Sequence, residues 1–408
     1  MYPRHLVNKL RESLEESPVV LLNGARQVGK STLVQSLLSN THTYYTLDDF
    51  SVLNIVSQDP LGFLTSHTGP LVIDEVQKSP PLLPAIKQIV DRNRNPGQFV
   101  LTGSANVLNL PKLSESLAGR MEIHTLWPLS QSELSNTTVS FIDKVLRGSP
   151  VWGNSPITWQ ELEKKVFLGG YPDVLKRTTV VKQDNWCSAY LQTLLQRDVR
   201  DVAHIERLTE LPALLNLLAA RAGNLLNTSD LSRISGLPNT TLKRYLTLLE
   251  NLYLYVSLPP WFNNRSNRVV KASKVYLNDT KLLCYLLGLD QRGLKNNRTL
   301  FGHIIENFVV MELKKQQTWS EIPTRMYHYR THTGSEIDII LESFSGEIIA
   351  IEVKGSQTVT PKDFTNIKHL QQKNTDKNIL GFVVYTGAQV IPFSNNLTTL
   401  PIAHLWHS

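Results

Sequence analysis

Gly24-Ala25-Arg26-Gln27-Val28-Gly29-Lys30-Ser31 spells G-x-x-x-x-G-K-S, and the apolar run Val19-Val20-Leu21-Leu22 leads straight into it. A buried strand delivers such a loop, and its glycines let backbone N–H groups close around phosphate oxygens. Lys30 supplies positive charge for the β- and γ-phosphates, and the Ser31 hydroxyl is suited to ligate Mg²⁺. Thr32-Leu33-Val34-Gln35-Ser36-Leu37-Leu38 continues as a helix, whose positive dipole end faces the phosphates. Strand, loop and helix in this order make residues 24–32 a nucleotide site.

Pro70-Leu71-Val72-Ile73-Asp74-Glu75-Val76 is a short apolar run ending in two carboxylates, the pattern of a buried parallel strand with its acids at the C-terminal end. Asp74 is placed to hold Mg²⁺ opposite Ser31, which leaves Glu75 to polarise an attacking water. A third strand, Gln98 to Asn106, ends in small polar residues. Thr102, Ser104 and Asn106 are each candidates to sense the γ-phosphate, with Ser104 taken into the nucleotide site. No N-K-x-D guanine-reading motif occurs, so ATP is the expected nucleotide.

These segments, with Ile73-Asp74-Glu75-Val76-Gln77-Lys78-Ser79-Pro80, Leu117-Ala118-Gly119-Arg120, Leu126-Trp127-Pro128-Leu129-Ser130 and Gly169-Gly170-Tyr171-Pro172, resemble a prokaryotic AAA+ family. Its members join an AAA-type ATPase to a C-terminal domain of unknown function, and the resemblance extends over essentially the whole chain. It implies an ATP-hydrolysing protein. Arg120, after a flexible Ala118-Gly119, is a candidate to contact the γ-phosphate in cis or from a neighbouring subunit of a homo-oligomer. Arg197 and Arg200 are alternatives, although Arg197-Asp198 and Arg200-Asp201 fit a helical ion-pair face better.

The chain has 408 residues, 41% of them apolar and 19% charged, which implies a folded protein of several domains. No apolar run approaches the roughly 20 residues that span a bilayer, and Met1 to Leu10 lacks the apolar core of a signal peptide. Cys187 and Cys284 are isolated thiols, so a cytoplasmic, reducing location without a membrane partner is expected. A net charge of +7 permits a polyanionic partner such as DNA.

From about Ser149 the pattern turns helical, with Leu208, Leu211, Leu214, Leu215 and Leu218 at helical spacing. Ser229-Asp230 can cap a short helix that Gly236 ends, and Asn239-Thr240 can cap a longer one carrying Leu242, Tyr245, Leu246 and Leu249. Leu252–Leu258 and Lys274–Leu277 then read as strands flanking a loop, which completes a winged helix. Lys243 and Arg244 on the second helix, and Arg265, Arg268, Lys271 and Lys274 in the wing, form a candidate DNA-contacting surface. A winged helix that serves only as a packing module is the alternative.

Near the C-terminus, Asp338, Glu352 and Lys354 match D-x₁₃-E-x-K, the spacing of a PD-(D/E)xK nuclease core. Residues 352 and 354 share one face of a strand. A metal held by Asp338 and Glu352 beside an ammonium suits phosphodiester hydrolysis, and Glu306 takes the place of that superfamily's helical acid. The proline that usually precedes the aspartate is replaced by Ile337, and a fold skeleton whose ions merely pair is the alternative. Ile379–Tyr385 and Ile402–Trp406 read as later strands of the same sheet, with a solvated helix between Lys362 and Lys377.

The expected fold class is α/β: a P-loop AAA+-type parallel sheet core over 1–148, a helical lid over 149–226, a winged helix over 227–290, and a restriction-endonuclease-like α/β domain over 291–408. The expected function is Mg²⁺-dependent ATP hydrolysis coupled to a DNA-directed nuclease-like domain. The alternative is a nucleotide-driven switch whose C-terminal domain is an inactive interaction module.

Overall fold

The computed structural model describes residues 2–104, 117–148, 152–153, 157–198, 208–263, 272–332, 334–394 and 396–407. The segment before the phosphate loop forms β1 (Val19–Asn23), buried at every position. It sits inside a parallel sheet that also holds β2 (Thr43–Thr46), β3 (Leu71–Asp74), β4 (Phe99–Gly103) and β5 (Met121–Thr125), in the order β2-β3-β4-β1-β5. The helix after the loop is α1 (Lys30–Leu38), and α2 (Leu82–Arg92) follows β3. Because β4 separates β1 from β3, the end of β4 lies between the phosphate loop and the acids of β3. Continuous apolar runs are what a strand buried on both faces requires.

The middle of the chain is helical. It includes α3 (Val180–Thr193), α4 (Thr228–Ser235) and α5 (Asn239–Asn251). Asn227, rather than Ser229 or Asp230, caps α4: its side chain accepts from Asp230 N at 3.1 Å, and Gly236 closes the helix at φ 70°. The following strand starts later than the apolar run suggests. Leu252 ends α5 and Tyr253 turns the chain at φ 57°, so β6 is only Tyr255–Leu258. It pairs antiparallel with β7 (Lys274–Leu277), and α6 (Thr280–Leu286) follows.

The C-terminal segment opens with α7 (Arg298–Gln316) and continues through β8 (Thr324–Arg330), β9 (Glu336–Ser343) and β10 (Ile348–Lys354), all antiparallel neighbours. Helix α8 (Thr365–Lys373) then crosses to β11 (Ile379–Tyr385), which lies parallel to β10. The sheet is completed by β12 (Ile391–Ser394) and β13 (Leu397–Pro401). Ile402–Leu405, expected as a strand, is a short 3-10 turn; the strand is the stretch before it.

One apolar core runs through all three segments, from Leu6 to Trp406. Val20, Leu22 and Val72 present one face of the first sheet to it, and Ile349, Ile351 and Val353 one face of the second. The alternate residues Val19, Leu21 and Ile73 pack on the outer side of the first sheet, and Ile348 and Ala350 on the outer side of the second. Helix α7 lies in the shared core. Its Asn307, fully buried, accepts from Leu277 N at 2.8 Å and donates to Leu277 O at 2.9 Å, which fastens β7 to the helix. Gln316 accepts from Phe141 N at 2.9 Å, and Glu312 accepts from Gln131 N at 2.7 Å. Asn307→Ala strands two buried backbone groups, each worth about 1–3 kcal/mol. A urea midpoint corresponding to a loss above about 2 kcal/mol is expected, and a change within about 0.5 kcal/mol contradicts this role.

Candidate nucleotide site and carboxylate cluster

The phosphate loop bends where its residues permit it. Gly24 has φ 148°, and a Cβ there would stand 2.1 Å from Leu126 O; Gly29 has φ 97°. Gln27 takes φ 61° without being glycine, and its side-chain carbonyl accepts from Trp186 Nε1 on α3 at 2.9 Å. Lys30 Nζ donates to Gly24 O and Ala25 O, both at 2.9 Å, so the ammonium lies folded over its own loop. The loop is held from outside by Arg4, whose guanidinium donates to Val28 O at 2.9 Å and Trp127 O at 2.6 Å and pairs with Glu133 at 3.0 Å. Arg26 is half-buried in the loop, and Thr32 is exposed on the first turn of α1.

The acids of β3 meet the loop as the sequence anticipates. Ser31 Oγ donates to both Asp74 oxygens at 3.0 Å. Tyr44 OH donates to Asp74 Oδ2 at 2.7 Å, and Thr102 Oγ1 to Asp74 Oδ1. Burial, then the bond to Asp74, raises the Tyr44 phenol well above its usual range. Three hydroxyls on one carboxylate are a donor set that can turn its lone pairs toward a hard cation, so Ser31 and Asp74 fit Mg²⁺. Glu75, at φ 60°, accepts from Ser104 Oγ at 2.8 Å and from Gln77 Nε2. Of the three sensor candidates, Thr102 therefore faces Asp74 and Ser104 faces Glu75, while Asn106 lies outside the described residues.

A cavity of about 450 Å³ adjoins Gly29 and Thr32, lined also by Tyr2, Arg4, Leu129, Pro172 and Lys176. Its size and apolar walls are those of a small-ligand pocket. Sequence reasoning missed Tyr2, Arg4 and Lys176, which carry no motif. The Gly169-Gly170-Tyr171-Pro172 signal does point there. Leu129 N donates to Gly170 O at 2.8 Å, and a Cβ on Gly170 would meet Leu129 O at 2.2 Å.

Arg120 corrects an expectation. It precedes β5, whose Met121 pairs with Val19 and whose Thr125 pairs with Asn23, so it stands at the sheet edge opposite the phosphate loop. Five strand residues put roughly 15 Å between them. Its guanidinium pairs with Asp91 and donates to Ala118 O at 3.0 Å, so it does not reach the phosphates of its own chain. Lys243 and Arg244 are exposed on α5, whereas Arg265, Arg268 and Lys271 lie outside the described residues, as does Arg200, and nothing is described of the Arg197 side chain.

Lys274 is the larger correction. Expected on the DNA-contacting surface of a wing, it is 1% exposed, with Nζ at 2.7 Å from Glu336, 2.9 Å from Glu306 and 3.1 Å from Asp338. Tyr276 OH donates to Glu306 at 2.6 Å, and Val353 N to Asp338 Oδ2 at 2.9 Å. Glu352 pairs with Lys354 at 2.9 Å, and Lys354 lies 3.8 Å from Asp363. The structure thus brings Glu306, Asp338, Glu352 and Lys354 together, but with an ammonium among the acids. Burial alone would lower the Lys274 pKa; Asp338, Glu306 and Glu336 together raise it. Burial, then Asp338, pushes Glu306 up to about 7 against the pull of Lys274. Among the described residues no group of three or more His, Cys, Asp or Glu is disposed to hold a metal ion. With a cation already between them, these acids do not fit a divalent metal.

Burial, then Asp338, likewise raises Glu352 to about 8, against the neighbouring Lys354 and Lys274 ammoniums. Between about pH 4.5, where the unfolded carboxyl ionises, and about 8, the folded form holds more protons. Stability contributed by this group therefore falls as pH rises through that window. Glu352→Gln should flatten the decline in thermal midpoint from pH 5 to 8; an unchanged slope counts against it.

Among the described residues no helix is long and apolar enough to cross a membrane. Residues 16–135 match the model of the AAA domain. Residues 160–293 and 301–405 match models described as domains of unknown function, DUF8612 and DUF4143. The chain is 29% identical over 400 residues to the uncharacterized protein Rv2008c of Mycobacterium tuberculosis, covering 98% of this chain and 83% of that one. To an uncharacterized protein of Haemophilus influenzae it is 22% identical over 395 residues, with 89% and 88% covered. Among solved structures it is similar to the Walker-type ATPase PABY2304 of Pyrococcus abyssi, at TM-score 0.44 and 16% identity over 70% of this chain and 96% of that one. Residues 16–135 thus carry a phosphate loop on a parallel sheet, the fold of a P-loop nucleotide-binding domain, and match the model of the AAA domain.

Proposed function

We propose that the protein is a Mg²⁺-dependent ATP hydrolase working as a nucleotide-driven switch, with its C-terminal domain serving as an interaction module. The observation that carries this reading is the convergence of Ser31, Thr102 and Tyr44 on Asp74, with Glu75 beside it, at the mouth of the phosphate loop. ATP enters with its base in the 450 Å³ cavity between Tyr2 and Pro172 and its phosphates against the loop N–H groups. Lys30 leaves Gly24 O and Ala25 O for the β- and γ-phosphate oxygens. Ser31 and Asp74 would hold Mg²⁺, which when bound would neutralise charge on the phosphates. Glu75, released from Ser104 and Gln77, takes the proton of the attacking water.

Support for the switch comes from the contact between loop and lid. Gln27 holds Trp186 on α3, and Asp184 on the same helix pairs with Lys281 of α6 at 2.8 Å. A change at the loop therefore bears on the segment that follows β7. The antiparallel β8-β9-β10, α8 and parallel β11 support a restriction-endonuclease-like reading of the C-terminal fold. Lys274 among its acids argues against hydrolysis there. The exposure of Lys243 and Arg244 favours a second reading, in which α5 touches a nucleic-acid backbone. Retention of the protein by DNA that survives Lys243→Glu with Arg244→Glu contradicts that reading.

Phosphate release from ATP should fall at least ~100-fold in Lys30→Ala and in Glu75→Gln. Glu75→Gln should still bind ATP. Hydrolysis unaffected by Glu75→Gln contradicts the assigned base. We also propose that Arg120 acts in trans in a homo-oligomer, since it stands at the sheet edge away from its own loop. Arg120→Ala and Lys30→Ala proteins, each inactive, should regain hydrolysis when mixed, because hybrid interfaces join an intact loop to an intact arginine. A mixture as inactive as its parts contradicts the assignment.

A further inference from the structure

The phosphate loop changes hand at two residues. Gln27 has φ 61° and Gly29 φ 97°, with Val28 between them. Left-handed residues beside right-handed ones turn successive N–H groups toward one point, which makes a concavity for an anion. Glycine adopts that backbone freely, whereas a residue with a Cβ resists it. Gln27 is also exposed, so burial does not hold it there. A bond from another segment does: Trp186 Nε1 on α3 donates to Gln27 Oε1 at 2.9 Å. The indole itself is clamped. It stacks on Tyr190 at 4.9 Å with an interplanar angle of 11°, and Tyr171 lies 5.1 Å from it. The Tyr171 and Tyr190 hydroxyls are bonded at 3.0 Å, and Asn278 Nδ2 donates to Tyr171 OH at 2.9 Å. All three rings are buried, so the indole N–H is aimed at Gln27 by packing.

We propose that Trp186 is a positioning residue of the nucleotide site: its indole N–H holds Gln27 left-handed, so the loop is shaped for phosphate only while α3 is seated against it. Trp186 acts through Gln27 and not on the nucleotide itself. The acidic side of the site is fixed by the same device. Glu75, left-handed at φ 60°, donates its N–H to Thr102 Oγ1 at 3.1 Å. Backbone strain of this kind persists where surrounding contacts over-determine it. The aromatic cluster also reaches the nucleotide cavity, because Tyr171 is followed by Pro172, which lines it beside Gly29 and Thr32. Binding and docking are therefore linked in both directions. Contacts that seat α3 tighten the hold on ATP, and bound ATP favours the seated helix to the same degree.

The test measures the affinity of the full chain for Mg²⁺-ATP by equilibrium dialysis, with KM and kcat for phosphate release alongside. Gln27→Ala keeps the Cβ and loses the acceptor, so affinity should fall about 10-fold, the scale of one lost hydrogen bond. Gln27→Gly loses the same acceptor but needs no bond to stay left-handed, and should recover most of that loss. Trp186→Phe keeps a stacked ring without the N–H. It should match Gln27→Ala, with KM raised and kcat within about twofold of wild type. Adding Gln27→Gly to Trp186→Phe should restore affinity toward that of Gln27→Gly. Equal losses in Gln27→Ala and Gln27→Gly overturn the proposal, because the bond then does something other than hold the backbone. If Trp186→Phe does not fold, the two Gln27 variants still decide, since that side chain is exposed. Because this role rests on ATP occupying the loop, wild-type protein that binds no Mg²⁺-ATP overturns both readings. Binding that Gln27→Ala leaves unchanged overturns this one alone.

Discussion

The buried polar side chains of α7 hold this molecule in one piece. A helix inside a core is ordinarily apolar all round, because each polar group it carries must find a partner or cost free energy. Here Glu306, Asn307, Glu312, Lys315 and Gln316 are all buried, and their partners are spread over the chain. Glu306 and Asn307 take the β7 strand, through Lys274, Tyr276 and Leu277. Glu312 and Lys315 pair with each other and reach Gln131 N and Leu129 O, the backbone that leaves the nucleotide-binding sheet. Gln316 spans from Phe141 N to Leu405 O. Each bond is modest, but moving the helix breaks all of them at once and strands donors and acceptors in an apolar core. The shared core between the two sheets follows from that constraint.

The two acidic sites differ in how their charge is met. Asp74 is surrounded by the hydroxyls of Ser31, Tyr44 and Thr102, which are neutral and can rotate. Those donors bring no counter-charge to the carboxylate. Asp338, with Glu306 and Glu336, is met by a full positive charge and a backbone N–H. The same residue type is therefore met by neutral hydroxyls beside the phosphate loop and by an ammonium in the second sheet. Glu75, beside Asp74, is likewise held by neutral hydrogen bonds, from Ser104 and Gln77.

The nucleotide site was legible because it is local. A strand, a glycine loop and a helix are contiguous from Val19 to Leu38, and Asp74-Glu75 sits at the end of its own strand. What was not legible depends on distant packing. Lys274 has basic neighbours in sequence, so it reads as part of a DNA-contacting wing; only the approach of α7 and β9 shows it to be a buried counter-ion. Arg120 follows a glycine near the motifs, yet the direction of β5 carries it to the far edge of the sheet. Tyr2 and Arg4 carry no pattern and are brought to the loop by tertiary contact alone. Glu306 was readable as an acid on a helix, but not that the helix is buried on every side from Ile304 to Leu313.

Fastening by α7 ties the phosphate-loop sheet and the C-terminal sheet into a single cooperative body. Differential scanning calorimetry with and without Mg²⁺-ATP tests this directly, because a ligand stabilises whatever unit unfolds with its site. The Glu75→Gln protein should show one endotherm that moves upward as a whole when ATP is added. Two endotherms, of which only one moves, would contradict it.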